Sequence, residues 1–287
     1  MITVIERRAQ DERAVLFMCD FSPPRSSSIS LFESGRCLDV DFVSVSYNPG
    51  KSVRVNSVIS AYWIKENIGS DVIFTIATRD MNKLAIQSLL LGADLLGLNN
   101  VVVVNGDLFE GSELYNLNSV NDFKPTELIS SIKAMNIGLD FRGKSLISPT
   151  KFCVGATIDL ARDIENEISL TQKKIQQGTD FFILQSLFEP QRFTDFLEQY
   201  HCKFGESLNT LVFCGVQVMG KDSISFGKVP DWVRDDLDKG RTGEDLALET
   251  IQNFIEIGQR SIFLLPSITD GGERDYKLVQ RVVEKFR

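Results

Sequence analysis

The chain has 287 residues, 43% hydrophobic and 24% charged, and 31 basic against 39 acidic side chains leave a net charge of −8. That is enough chain for a large core, and the composition excludes a disordered, collagen-like or coiled-coil protein. The negative field argues against sequence-independent nucleic-acid binding. Leu84 to Val104, the most apolar stretch, is interrupted by Asp94, Asn99 and Asn100 and is no membrane span.

The opening MITVIERRAQDERAV carries no apolar segment of the secretory kind, so a cytoplasmic protein is expected. Five cysteines (Cys19, Cys37, Cys153, Cys202, Cys214) lie far apart with no C-x-x-C pair. They read as free thiols, without a disulfide framework or a metal site.

In chain order, short apolar, β-branched runs alternate with helical patterns. Ala14–Cys19 is the first run. Asp41–Tyr47 is the second, followed by a helix from Asn56 to Ile68 with Val58, Ile59, Tyr62 and Trp63 on one side. Asp71–Ile76 precedes the Leu- and Ala-rich helix Asn82 to Leu96, and Asn100–Asn105 is the fourth run. Lys151–Thr157 leads into a helix carrying Ile164, Ile168 and Ile175 and ending at Gly178. Asp180–Gln185 is followed by the stripe Phe193, Phe196, Leu197, Tyr200. Thr210–Val216 is followed, after a gap, by Leu248, Ile251, Phe254 and Ile255. Arg260–Pro266 and a last helix with Leu278, Val279, Val282, Val283 and Phe286 complete the series.

Near-continuous apolar strands alternating with helices imply a parallel sheet covered on both faces. Most runs recur at ~30 residues, the length of a βαβ unit. Two longer intervals hold extra segments, Gly106–Thr150 and Gln217–Gln259. Eight such units without a linker predict a single (β/α)8 TIM barrel over residues 1–287. An open doubly wound sheet is the alternative, but no Gly-rich dinucleotide fingerprint follows any run. In a barrel, the strand C-termini carry the chemistry. Polar residues gather there: Asp20; Ser46 and Asn48; Thr75, Thr78 and Asp80; Asn105 and Asp107; Thr157 and Asp159; Gln185 and Glu189. The chain's one histidine, His201, leaves little room for His-based catalysis.

Four segments in register resemble the methylenetetrahydrofolate reductase family, most closely the version fused to homocysteine methyltransferases. They are CDFSPPR (Cys19–Arg25), DFVSVSYNPGKSVR (Asp41–Arg54), FTIATRDMNKLAIQSLLLGADLLGLNNVVVVNGD (Phe74–Asp107) and LTQKKIQQGTDFFILQSLFEPQRF (Leu170–Phe193). The likeness continues more faintly through VPDWV (Val229–Val233). It implies reduction of 5,10-methylenetetrahydrofolate to 5-methyltetrahydrofolate in one-carbon metabolism and methionine synthesis. The hydride comes from NADH or NADPH and passes through FAD. An acid protonates N10 to open the imidazolidine ring.

Residue by residue, Asp20 stands at the family's acid position, one methylene shorter than the usual glutamate. Asp107 matches the aspartate near flavin and folate, and Gly106 allows close backbone approach. Gln185 matches a glutamine that contacts folate and nicotinamide, with Phe188 near a family aromatic. Ser46, Thr75 and Asn105 fall on cofactor positions, as do Glu167, Lys173 and Lys174 along the flavin diphosphate. Read without the resemblance, Asn105–Asp107 is a turn, Gln185 a polar strand end and the lysines a solvated helix face.

Departures accompany the match. Ile73 replaces a histidine, Asn105 an arginine, and GATIDL (Gly155–Leu160) a longer segment with a tyrosine and a histidine. Gln217–Lys228 is shorter than its counterpart, so a trimmed barrel helix is expected. With those cations missing, Lys173 and Lys174 are expected to face the diphosphate, and changing both to alanine to spare folding. The losses leave two alternatives open: a flavin-free reductase of the same substrate, and a folate-binding accessory subunit without redox activity. A homo-oligomer or a one-carbon partner subunit fits any of the three.

Overall fold

The computed structural model describes residues 1–220, 229–268 and 273–287. Eight strands form one closed barrel in sequence order: β1 (Leu16–Phe21), β2 (Phe42–Val45), β3 (Val72–Ala77), β4 (Asn100–Val104), β5 (Cys153–Ile158), β6 (Phe181–Leu184), β7 (Leu211–Val218) and β8 (Ser261–Pro266). All pairings are parallel, and β1 closes on β8 with Leu16 opposite Ser261 and Cys19 opposite Leu264. The expected (β/α)8 barrel is the observed fold, and each strand overlaps its apolar run.

The helices on the outside are α2 (Ser57–Asn67), α3 (Lys83–Leu95), α4 (Pro125–Asn136), α5 (Ile164–Gln176), α6 (Gln191–Phe204), α7 (Asp231–Asp238), α8 (Gly243–Glu256) and α9 (Tyr276–Glu284). Helix α4 lies inside the extra segment after β4. Its Leu128, Ile129, Ile132 and Met135 are buried against the barrel. Helix α7 is acidic and buries only Val233 and Leu237. Most of Gln217–Lys228, where a trimmed helix was expected, lies outside the described residues.

Strand alternation sorts the core into two bodies. Residues such as Phe17, Cys19, Val43 and Phe74 pack outward under the helices. Leu16, Met18, Phe42, Ile73, Val102, Cys153, Phe181, Ile183, Phe213, Phe263 and Leu265 form a separate cluster that fills the barrel. Phe213 meets Phe42 and Phe181 edge-on, with centroids 6.4 and 6.3 Å apart. Phe181 pairs with Gly155 across β5 and β6, and a Cβ at Gly155 would lie 2.4 Å from its ring.

The N-terminal end of the barrel is sealed by α1 (Val4–Gln10), which begins with a Thr3–Glu6 capping box. Val4 is fully buried in the interior cluster. Asn100, the first residue of β4, accepts from Val4 N at 3.0 Å and donates to the carbonyls of Ile2 and Val72 at 3.1 and 3.2 Å. Arg8 donates to Arg260 O at 2.9 Å and to Ser261 Oγ at 2.6 Å, at the foot of β8. The cavity described below opens at the opposite end.

Gly155→Ala should overpack the barrel and cost about 1–3 kcal/mol in urea unfolding. Gly155→Ala with Phe181→Leu should recover part of that loss. Equal midpoints for Gly155→Ala and the parent would show that the ring moves freely.

Candidate active site at the barrel mouth

Toward the C-terminal end, the inward positions turn from apolar to polar. On β1 Met18 gives way to Asp20, on β2 Phe42 to Ser44 and then Ser46, on β3 Ile73 to Thr75, on β6 Ile183 to Gln185. Asp20, Ser46, Asp107 and Gln185 all lie at this one end. Above the ends of β2 to β6 opens a cavity of about 540 Å³. Asn105, Gly106, Asp107 and Gln185 form part of its wall, with Tyr47 and Asn48 on one side and Thr157 to Arg162 on the other. Asp107 and Gln185 are exposed to it. Gly106 has φ +88°, and a Cβ there would meet Ala77 and Arg79 at 3.2 Å, so the turn after β4 requires glycine.

Arg79 fixes that turn. Its guanidinium grips Asp80 with two bonds of 2.5 and 2.8 Å and donates to Asp107 O at 2.6 Å. The Phe109 ring lies 4.3 Å from it, and Val120 N donates to Arg79 O at 2.7 Å. One buried arginine therefore holds both ends of the β4–α4 loop. Beside it, burial and then the Asp80 carboxylate push the Tyr47 hydroxyl up to about 12, so Tyr47 stays a neutral donor.

Asp20 lies outside the cavity wall, next to it at β1–β2. It is 7% exposed. Ser46 Oγ donates a short hydrogen bond to Oδ1. Arg274, itself buried, approaches Oδ2 at 3.5 Å while donating to Ser22 Oγ at 2.7 Å and Pro266 O at 3.2 Å. Burial raises the Asp20 pKa; Arg274, the Ser46 bond and Arg54 oppose it without cancelling it.

Other expected site residues fall elsewhere. Thr75 is half-buried on β3, and its carbonyl accepts from Ser57 Oγ at 2.7 Å. Phe188 packs on Met219, Val229, Val233, Leu237 and Leu246 rather than lining the cavity. Lys174 and Glu167 form a buried ion pair of 3.4 Å, and Lys174 Nζ donates to Thr157 O at 2.5 Å from beneath β5. Burial lowers the Lys174 pKa, and the Glu167 carboxylate opposes this. Lys173 is exposed. The two lysines thus do not face one ligand, because adjacent helical residues point about 100° apart. The cavity's cations are instead Arg79, Arg162 and Arg192. The sequence reading missed all three, and Tyr47 with them. Arg79, Tyr47 and Arg192 sat inside the quoted motifs, whereas Arg162 carries no local pattern.

Among the described residues, no group of three or more His, Cys, Asp or Glu could hold a metal ion, and no helix is long and apolar enough to cross a membrane. The cysteines are free. Cys19, Cys153 and Cys214 are buried, Cys37 is half-buried and Cys202 exposed.

Fold and cavity together define a (β/α)8 barrel with a polar ligand site at its C-terminal mouth. The sequence profile described as Methylenetetrahydrofolate reductase matches residues 5–255, and the chain belongs to that family. Among solved structures it is similar to an uncharacterized protein from Clostridium thermocellum that binds two copies of 5-methyl-5,6,7,8-tetrahydrofolic acid. The TM-score is 0.62 at 13% identity, covering 98% of each chain, a likeness of fold. No curated protein matches the chain.

Two outcomes test this electrostatic layout. Lys174→Ala strands the buried Glu167 charge and should cost about 3–5 kcal/mol in chemical unfolding, while Lys173→Ala stays within about 0.5 kcal/mol. That corrects the expectation that both could be removed without harm to folding. The raised Asp20 pKa means that the folded state keeps a proton the unfolded chain has lost. Its contribution to stability is complete below the ordinary carboxyl value and is lost as pH rises through the folded value. Asp20→Asn should flatten that part of the stability–pH curve. An unchanged slope would assign it to other carboxyls.

Proposed function

We propose that the protein is a reductase of its family's kind, converting 5,10-methylenetetrahydrofolate to 5-methyltetrahydrofolate with NADH or NADPH, through FAD held at the barrel mouth. The observation that carries this reading is the pairing of two places side by side. One is the polar cavity over β2 to β6; the other is the buried Asp20–Ser46 carboxyl–hydroxyl pair at β1–β2. A reaction that brings two flat rings together needs both. The reduced folate bound by the solved neighbour agrees with this substrate class. On this reading the protein works in the cytoplasm.

The residues present fit a flavin. The glycine turn Asn105–Asp107 offers backbone to a flat ring, and Arg162 and Arg192 offer charge at the β5–β6 side. When bound, the flavin supplies the hydride relay between nicotinamide and folate. The chain's own residues do the rest. Asp20, kept protonatable by burial, gives its proton to N10 as the imidazolidine ring opens. Ser46 orients its carboxyl. Asp107 places negative charge at the mouth, where it stabilises the iminium cation of the folate. Gln185 offers an amide to the edge of a ring, and neutral Tyr47 a hydroxyl.

The turned-in Lys174 favours one second reading, a flavin-free enzyme in which nicotinamide gives its hydride directly to the folate. Visible absorbance of the purified protein separates the two. Stopped-flow half-reactions then test the acid. Asp20→Asn should spare flavin reduction by nicotinamide and slow folate reduction by ~10²–10⁴. Asp20→Glu should be milder than Asn. Folate reduction at the parent rate in Asp20→Asn would remove the acid role, and absence of both half-reactions in the parent would leave an accessory folate binder.

A further inference from the structure

Three arginines line the mouth cavity, and they differ in how much of their hydrogen-bonding capacity is used. Arg79 has each of its three guanidinium nitrogens engaged by Asp80 or the Asp107 carbonyl. Arg162, just before α5, uses Nε on Asp159 Oδ2 at 3.0 Å. Arg192, in the first turn of α6, uses one Nη on Leu160 O at 2.8 Å. Both are thus steadied from the same short turn, Asp159 to Arg162, which is itself pinned where Asp159 Oδ1 accepts from Ala161 N at 3.0 Å. Among the described residues, the two Nη groups of Arg162 and the Nε and second Nη of Arg192 have no partner, and no carboxylate pairs with Arg192.

We propose that Arg162 and Arg192 form a subsite for the paired anionic oxygens at the tail of the cavity's ligand, a dinucleotide diphosphate or the carboxylates of a folate. The inference rests on the preceding reading that the cavity holds such a ligand. It moves the anion site from the helix face of Lys173 and Lys174 to the adjacent segments that follow β5 and β6. Two planar guanidinium forks on adjacent segments suit a group with several oxygens in fixed array better than two flexible ammonium groups do. Asp159 fits the same arrangement. It neutralises half the local charge and holds Arg162 in place, so the subsite is preformed yet not so positive that it would attract polyanions at large.

The test is equilibrium titration of the full chain with FAD, with NADH and with 5-methyltetrahydrofolate, read by fluorescence quenching. Arg162→Gln with Arg192→Gln should weaken the ligand that uses the subsite by about 10–100-fold. Weakened FAD or NADH binding with unchanged folate binding identifies the diphosphate as the anion; the reverse identifies the folate carboxylates. Each single Arg→Lys variant should retain part of the affinity, since it keeps the charge and loses the fork. Thermal unfolding of the double variant checks its fold, and Lys173→Ala serves as a control for the loss of an exposed cation near the site, to be compared with each single Arg→Gln variant. If the parent binds a ligand and the double variant, folded, binds it equally well, the subsite is overturned and the functional reading stands. If the parent binds none of the three, the functional reading falls and the subsite with it.

Discussion

The structure rests on the filling of the barrel's interior. Eight parallel strands enclose a fixed space, and their inward side chains must fill it without voids. Here Phe42, Phe181, Phe213 and Phe263 do much of this, together with aliphatic side chains, and Gly155 on β5 leaves room for the Phe181 ring. That plug sets the depth of the mouth. Above it the inward positions no longer meet across the barrel axis and can be polar without being buried unpaired. Asp20, Ser46, Thr157 and Gln185 stand above the rings at this one end, Thr157 and Gln185 on the cavity wall and Asp20 with Ser46 beside β1–β2.

Charge at the mouth is organised by pairing. In a chain of net charge −8, an unneutralised carboxylate cluster would repel anionic ligands. The structure ties down several of its acids with specific partners: Asp80 with Arg79, Asp159 with Arg162, Asp20 with Arg274 and Ser46. Glu167 is answered by Lys174 below the β5 end. Asp107 is the exception, exposed on the cavity wall with only its backbone carbonyl engaged by Arg79. Among the described residues, pairing thus leaves the Asp107 carboxylate and the Arg192 guanidinium at the cavity without an ion-pair partner, a sorting that composition alone does not reveal.

The strands were legible because burial on both faces demands uninterrupted apolar residues, and every such run became a strand. Helices α1, α4 and α7 were not. Helix α1 is one short amphipathic stretch of two turns, α4 is embedded in a long insertion, and α7 has just two buried apolar residues to give it a period. In the site, Asn105, Gly106, Asp107 and Gln185 could be read because a strand end has a fixed position in a barrel. Lys173 and Lys174 could not, since the choice between a face toward ligand and a face toward the core depends on helix rotation. Ile73, standing where the family has histidine, lies in the apolar interior with no exposure, so that substitution removes a polar group from below the mouth and not from its rim. The convergence of Arg162 and Arg192 joins loops of two neighbouring units, and only the closed barrel brings them to one wall.

The seal at the barrel's other end bears on how the chain is made. The amide that receives residues 2 and 4 belongs to Asn100, 98 and 96 positions further along the chain, and the foot of β8 that receives Arg8 lies 252 positions on. Contacts this distant in sequence form late and slowly. During synthesis α1 therefore remains without its first acceptors until Asn100 has been made, and without the last of them until the foot of β8 has been. Shielding of Ile2 and Val4 during that interval falls to whatever holds the growing chain, so the residues that close the finished barrel are among the most exposed apolar ones while it is being built.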